Sequence, residues 1–189
     1  MPDTLTIIGK NAFQYNVNIK TVKFNYVQEI RDRAFNFGMN AKGNKLEINS
    51  LPESVRLLGK EAFTYCGNLT LTKLPSNITH IPESCFDNCP KIAITEFGSQ
   101  DSTMPNNTMQ IDSRAFNNAG TESNMQIVNF YSTNLQIAKQ AFRKYGGGIT
   151  NQSTDIRSKL SCFYSNSALD EQMFEDAGFE TYSCSEIIG

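Results

Sequence analysis

A solenoid of stacked repeats, dominated by short parallel β-strands and closed by a C-terminal helix, is the fold this sequence predicts. Three observations carry the prediction. An alanine-like residue followed by phenylalanine recurs six times, as Ala12-Phe13, Ala34-Phe35, Ala62-Phe63, Cys85-Phe86, Ala115-Phe116 and Ala141-Phe142. Successive phenylalanines are 22, 28, 23, 30 and 26 residues apart. The context recurs with them: an aliphatic residue stands five before each (Ile8, Ile30, Leu58, Ile81, Ile111, Ile137). A small or turn-compatible residue often stands three after (Asn16, Gly38, Cys66, Cys89, Ala119), with Tyr145 as the exception. Finally, Met1–Ile19 aligns without a gap on Leu51–Leu69, sharing Pro2/Pro52, Gly9/Gly59, Lys10/Lys60 and the Ala-Phe pair. Co-recurrence of several positions at a period in the twenties is the mark of a repeat architecture.

Each element follows from that unit. After each of the first five Phe anchors comes a short apolar run, "IKTVKF", "LEINSL", "LTLTKL", "IAITEF" and "MQIVNF". One coil cannot cover its own apolar side, so these runs are expected to pair with their neighbours as parallel strands ~4.8 Å apart. Equivalent side chains then stack in columns: the Phe, the aliphatic five before it, and the strand residues. The alanine is small because the turn is crowded there. Gly9 and Gly59 suit a bend, but Asp32, Pro82, Asp112 and Ala138 replace them, so a positive φ is not obligatory there. Longer spacings mark turn-rich insertions at Gly38–Asn44, Gly98–Thr108 and Gly120–Asn124, and a further polar run follows at Gly146–Ser158.

A degenerate seventh unit is expected near the C-terminus, because "NFYSTN" (Asn129–Asn134) resembles "CFYSNS" (Cys162–Ser167), with Met173-Phe174 in the place of the Ala-Phe pair. "SALDEQMFEDAG" reads as a helix with Ser167 as N-cap, acidic residues in its first turn and Gly178 as its stop. Its charge suits a terminal cap, which must shield the last coil. The reading therefore divides the chain into repeats over 1–166, about six coils with the first truncated, and a cap over 167–189. Met1 stands where Leu51 stands, so the sequence reads as starting inside a repeat, as a fragment of a longer chain would.

Composition excludes some functions. Apolar residues are 39% and charged residues 19%, which fits a folded chain. A net charge of −2 supplies no overall footprint for nucleic acid. No run approaches the ~20 apolar residues of a membrane-spanning helix, so no membrane insertion is expected. "MPDTLTIIGK" lacks the basic and long apolar regions of a signal peptide. The five cysteines are an odd and sparse set for a disulfide scaffold.

The pattern "LP..V..LG..AF..C..L....LP", carried by Leu51–Pro75, resembles the BspA-type leucine-rich repeat. That consensus runs Leu-x-x-Val-x-Ile-Pro, then Val-x-x-Ile-Gly-x-x-Ala-Phe-x-x-Cys. Val55, Leu58-Gly59, Ala62-Phe63 and Cys66 match its second half; Leu69, Thr72 and Leu74-Pro75 match its first, with Thr in the Val place. The proline is lost at Asn25, Gly98 and Tyr131. "EQMFEDAGFETY" looks, more loosely, like the closing helix and strand of such proteins. The resemblance implies a leucine-rich-repeat, right-handed β/α superhelix with short parallel strands on its concave face. It also implies an extracellular or cell-surface location on a microbe, and adhesion or protein and glycan binding instead of catalysis, with host or extracellular-matrix molecules among the partners.

In such a strand the residue three before the last apolar anchor points to the concave face. Those positions are Thr21, Ile48, Leu71, Ile94 and Ile127, and an exposed aliphatic stripe would mark an interaction surface. Lys23, Ser50, Lys73, Glu96 and Asn129 would border it. Leu71→Lys and Ile94→Glu are then expected to weaken partner binding at little cost in stability, whereas a large fall in melting temperature would place these residues in the core. Cys85-x3-Cys89 has the look of half a zinc site, but Cys66, Cys85 and Cys89 fall in the small-residue columns, and no metal or other cofactor is expected. His80 is the lone histidine, and no nucleophile elbow, phosphate loop or HExxH motif accompanies it, so no catalytic residues are assigned. The alternatives to a binding module are a spacer presenting another domain, or an accessory module beside a catalytic one.

Overall fold

The computed structural model describes residues 4–39, 44–98, 108–123, 127–132, 134–145, 155–156, 158–164 and 168–184. In chain order the elements are β1 (Ile7–Ile8), β2 (Glu29–Ile30), β3 (Leu57–Leu58), β4 (His80–Ile81), β5 (Glu96–Phe97), β6 (Thr108–Ile111), β7 (Ile127–Phe130), β8 (Asn134–Ile137), β9 (Lys144–Tyr145), β10 (Asp155–Ile156), β11 (Ser158–Tyr164), α1 (Glu171–Ala177) and β12 (Phe179–Cys184). All pairings are parallel except the β9–β10 pair. The architecture is a repeat solenoid whose coils bond to one another along three tracks.

The first track joins the residues just ahead of each Ala-Phe. β1, β2 and β3 pair in register, as do β4, β6 and β8, so Ile8 meets Ile30 and Leu58, and Ile81 meets Ile111 and Ile137. These aliphatics point inward and are buried, while the residue before each points outward. This is the period-2 alternation of a strand.

The Ala-Phe segments make a second track. The Phe N–H donates to the alanine-position carbonyl of the following coil: Phe13 to Ala34 (2.8 Å), Phe35 to Ala62 (2.8 Å), Phe63 to Cys85 (2.9 Å), Phe86 to Ala115 (2.8 Å) and Phe116 to Ala141 (2.7 Å). The alanine N–H instead turns back within its own coil, to Gly9, Arg31, Gly59, Pro82, Asp112 and Ala138. Alternating inward and onward bonds demands an alternating backbone. The residue two before each Phe is accordingly left-handed in all six copies: Asn11, Arg33, Glu61, Ser84, Arg114 and Gln140, with φ between 55° and 64°. None of the six is β-branched, the class that tolerates this conformation least. Gly59 is needed for a different reason, since a Cβ there would lie 2.2 Å from the Asp32 backbone nitrogen.

Inside the solenoid the six phenylalanines form one column, Phe13–Phe35–Phe63–Phe86–Phe116–Phe142. Ring centroids are 5.2, 5.5, 5.6, 5.2 and 4.9 Å apart, and the planes lie within 25° of each other. Each contact adds about 0.5–1.5 kcal/mol beyond area burial. Phe13, at the end of the column, is only partly buried, whereas the other five are buried.

The third track runs through the predicted strands. In the early coils they are joined by bonds such as Glu47 N–H to Lys20 C=O (3.0 Å), Thr70 N–H to Ile48 C=O (2.8 Å) and Ala93 N–H to Leu71 C=O (2.8 Å). Later they widen into a parallel sheet, β5-β7-β11-β12. Here one expected alignment is shifted. Tyr164, not Phe163, stands opposite Phe130, so "NFYSTN" and "CFYSNS" are offset by one residue in space. Burial decides the register: Tyr164 and Phe130 both face the core.

α1 lies in the chain between β11 and β12, the last two strands of the β5-β7-β11-β12 sheet. Asp170, not Ser167, is its N-cap, with the side chain accepting from the Gln172 N–H, and Gly178 ends it in the left-handed conformation. Ser167 itself lies outside the described residues. The helix continues the second track, because the Gln140 and Phe142 N–H groups donate to the Asp176 and Ala177 carbonyls (2.8 and 2.9 Å). Ala177, and not Met173, thus takes the alanine position, and Phe179 meets Phe142 at 4.8 Å. Phe174 stacks instead on Tyr164 at 4.5 Å.

Candidate ligand-binding face

The structure redistributes the residues expected on the strand face. Ile48, Leu71 and Ile94 are 4, 0 and 0% exposed, so the expected aliphatic stripe is core. The cause is local. Counting back from the anchors Leu51, Leu74 and Phe97 by strict alternation puts these residues outward. In these three coils, however, two consecutive residues face solvent before the anchor: Asn49-Ser50, Thr72-Lys73 and Thr95-Glu96. That extra outward residue turns the preceding aliphatics inward beside Leu46, Leu69 and Ile92. The first coil and β7 keep the alternation, with Val22/Phe24 and Val128/Phe130 as the more buried residues. Thr21 is accordingly exposed. Ile127 lies on β7, its side chain outside the described set.

The expected border residues do face solvent: Lys23, Ser50, Lys73 and Glu96 are exposed and Asn129 is half-buried. The face is therefore a polar grid. Lys20, Lys23, Glu47, Asn49, Ser50, Thr70, Thr72, Lys73, Thr95 and Glu96 are all exposed, and the Ile48–Leu69 pairing sets Asn49 beside Thr70. The polar letters of "LEINSL" and "LTLTKL" are the sequence signal for several of these. Glu53 at its edge is held below the ordinary carboxylate range, first by the Ser76 backbone N–H (2.9 Å) and also by the Ser76 hydroxyl and Lys73.

The opposite side, built on the first track, has a different character. Several charges there are paired: Glu29 accepts from both Arg31 (3.1 Å) and Arg56 (3.2 Å), Arg33 meets Glu61 (2.9 Å), Lys60 meets Glu83 (2.6 Å), and His80 Nε2 lies 2.8 Å from Asp112 Oδ2. The Arg33 hydrogen bonds hold the Glu61 carboxyl below its ordinary value. Asp87 departs the other way: burial raises it, against hydrogen bonds from Asn117 and Asn88.

The cysteines have packing roles. The Cys66 and Cys89 thiols donate to the Phe35 and Phe63 carbonyls (3.3 and 3.0 Å), each on a preceding coil. Burial pushes the Cys66 and Cys85 thiols well up, and Cys162 to about 12. Among the described residues no cluster of His, Cys, Asp and Glu could hold a metal ion. A depression between Leu74, Ile78, Phe97 and Met109 encloses about 40 Å³, room for a few waters. No helix among the described residues is long and apolar enough to cross a membrane.

Neither a curated protein nor a solved structure matches the chain. A family profile does: the BspA type leucine rich repeat region, in six copies, over residues 1–102 and 100–184. The matched residues span the repeats whose Phe column, buried thiols and three bonding tracks build the solenoid, and the chain belongs to the BspA-type leucine-rich repeat family.

Proposed function

We propose that this solenoid is a non-catalytic binding module of a secreted or surface protein, engaging a protein or glycan through the polar grid of its strand face. Repeats of this type are typical of surface or secreted proteins. The supporting observation is the grid itself, in which Asn49, Thr72 and Thr95, and Ser50, Lys73 and Glu96, stay exposed and polar coil after coil. Backbone bonds between neighbouring coils hold these donors and acceptors side by side. The test is a panel of neutral and charged glycans and extracellular-matrix proteins, read by biolayer interferometry. Thr72→Trp and Thr95→Trp should obstruct binding, while Gln136→Trp, outward on the other side, should not. A second reading, a passive spacer presenting another domain, draws support from the burial of Ile48, Leu71 and Ile94, which leaves no aliphatic stripe in these coils. A chain that binds nothing in the panel would favour the spacer, and one that binds equally in all variants would move the site off this face.

A further inference from the structure

The two sides of the solenoid handle positive charge differently. On the first-track side Arg31, Arg33, Arg56 and Lys60 each have a carboxylate partner within 3.2 Å, while Lys10 and Arg114 have no ion pair among the described residues. On the strand face, Lys20, Lys23 and Lys45 have no acidic partner among the described residues. Lys91 binds the neutral Asn68 Oδ1 at 2.8 Å, and Lys73 is only loosely tied to Glu53 at 3.9 Å. Five lysines thus share this side with Glu47, Glu53 and Glu96, in a chain whose net charge is −2.

We infer that the strand face of the first three coils binds an anionic polysaccharide, its sulfate or carboxylate groups meeting Lys20, Lys23 and Lys45. The inference rests on the binding-module reading and specifies its ligand class. The Glu47 N–H bond to the Lys20 carbonyl (3.0 Å) sets the two lysine-bearing coils side by side. Between and beside the lysines lie exposed hydroxyls and amides, Thr21, Asn49, Ser50, Thr70 and Thr72, suited to sugar hydroxyls. A protein ligand would call for aromatic or apolar anchors. Among the described residues the exposed large hydrophobics are Ile7, Tyr15, Tyr26, Met39 and Leu57, none of them within 19–24, 46–51 or 69–74.

The experiment measures binding of the chain to heparin (sulfated), polygalacturonate (carboxylate only) and neutral dextran, across a salt series. At least one polyanion should bind at about 0.15 M salt and weaken as salt screens the lysines, while dextran should not bind. Lys20→Gln/Lys23→Gln/Lys45→Gln should lower that affinity about tenfold or more, while Lys10→Gln/Lys139→Gln should leave it unchanged. Unchanged circular-dichroism melts would show that the variants are folded. Polyanion binding no stronger than dextran binding, or equal losses in both lysine sets, would overturn the inference. If a neutral glycan or a protein binds instead and is lost with Thr72→Trp, the binding module stands and only the anionic ligand falls. If nothing binds, both fall.

Discussion

Leu71 and Thr72 are sequence neighbours assigned to opposite sides of the same strand. Leu71 is fully buried between the Ile48 and Ile94 coils, and Thr72 is exposed. Leu71→Ala removes buried methyl groups from a site framed by two fixed coils, and such truncations cost about 2–5 kcal/mol. Thr72→Ala removes an exposed hydroxyl and should stay within about 0.5 kcal/mol. For a chain of 189 residues, 1 kcal/mol moves the melting temperature by about 2–4 °C. Leu71→Ala should therefore melt at least about 4 °C lower, and Thr72→Ala within about 2 °C of the parent. Leu71→Lys should be worse than Leu71→Ala, because it adds the burial of an ammonium group. Calorimetry and urea titration followed by circular dichroism provide the readouts. A Thr72→Ala loss exceeding that of Leu71→Ala would mean the strand is turned over, and the polar grid with it.

Three further outcomes follow from the packing. At the left-handed position Arg114, Arg114→Gly should change stability by less than about 1 kcal/mol, since relief of the conformation offsets glycine's entropy. Arg114→Val should cost about 1–3 kcal/mol in the same urea titration, and equal stabilities would refute the backbone argument. Alkylation followed by mass spectrometry should find Cys66, Cys85 and Cys89 unmodified in the native chain and modified in denaturant; native labelling at the rate of a free thiol would contradict their burial. Titration should separate two carboxylates. Glu61, held low by Arg33, contributes stability above its unfolded value that is lost as pH falls through its lowered one, so Glu61→Gln should flatten the acid limb of the stability curve. Asp87, raised by burial, favours folding only when protonated and loses that contribution as pH rises through its raised value. Asp87→Asn should then stabilise at neutral pH, with the gain shrinking in acid; a constant gain would point to packing instead.

The repeat was legible because its constraints are local and recur. Phe, the aliphatic five before it and the alanine-like residue each occupy one column, so six copies vote on each position. The helix stop at Gly178 was legible for a similar reason, as left-handed termini favour glycine. The strand face was misread at Ile48, Leu71 and Ile94 because alternation holds only while the strand stays regular. Two outward residues in a row reverse the count, and the letters of "INSL" do not announce that reversal. The offset at Tyr164 has the same root: identity aligned Phe130 with Phe163, while burial aligned it with Tyr164. The left-handed residue before each Ala-Phe left only an indirect trace, the lack of β-branched residues at six equivalent positions.

The tracks that bind coil to coil also set how the molecule would answer a mechanical load. The Phe13–Ala34 bond and its equivalents in later coils join one coil to the next. A pull applied between the two ends meets these bonds a few at a time, so coils should peel away singly instead of rupturing together. Each coil released, roughly 22 to 30 residues judged by the Phe spacings, would lengthen the chain by about 70–110 Å at ~3.3–3.6 Å per residue. A chain built this way would lengthen in steps and dissipate work at each one, absorbing a jolt that would break a stiffer link.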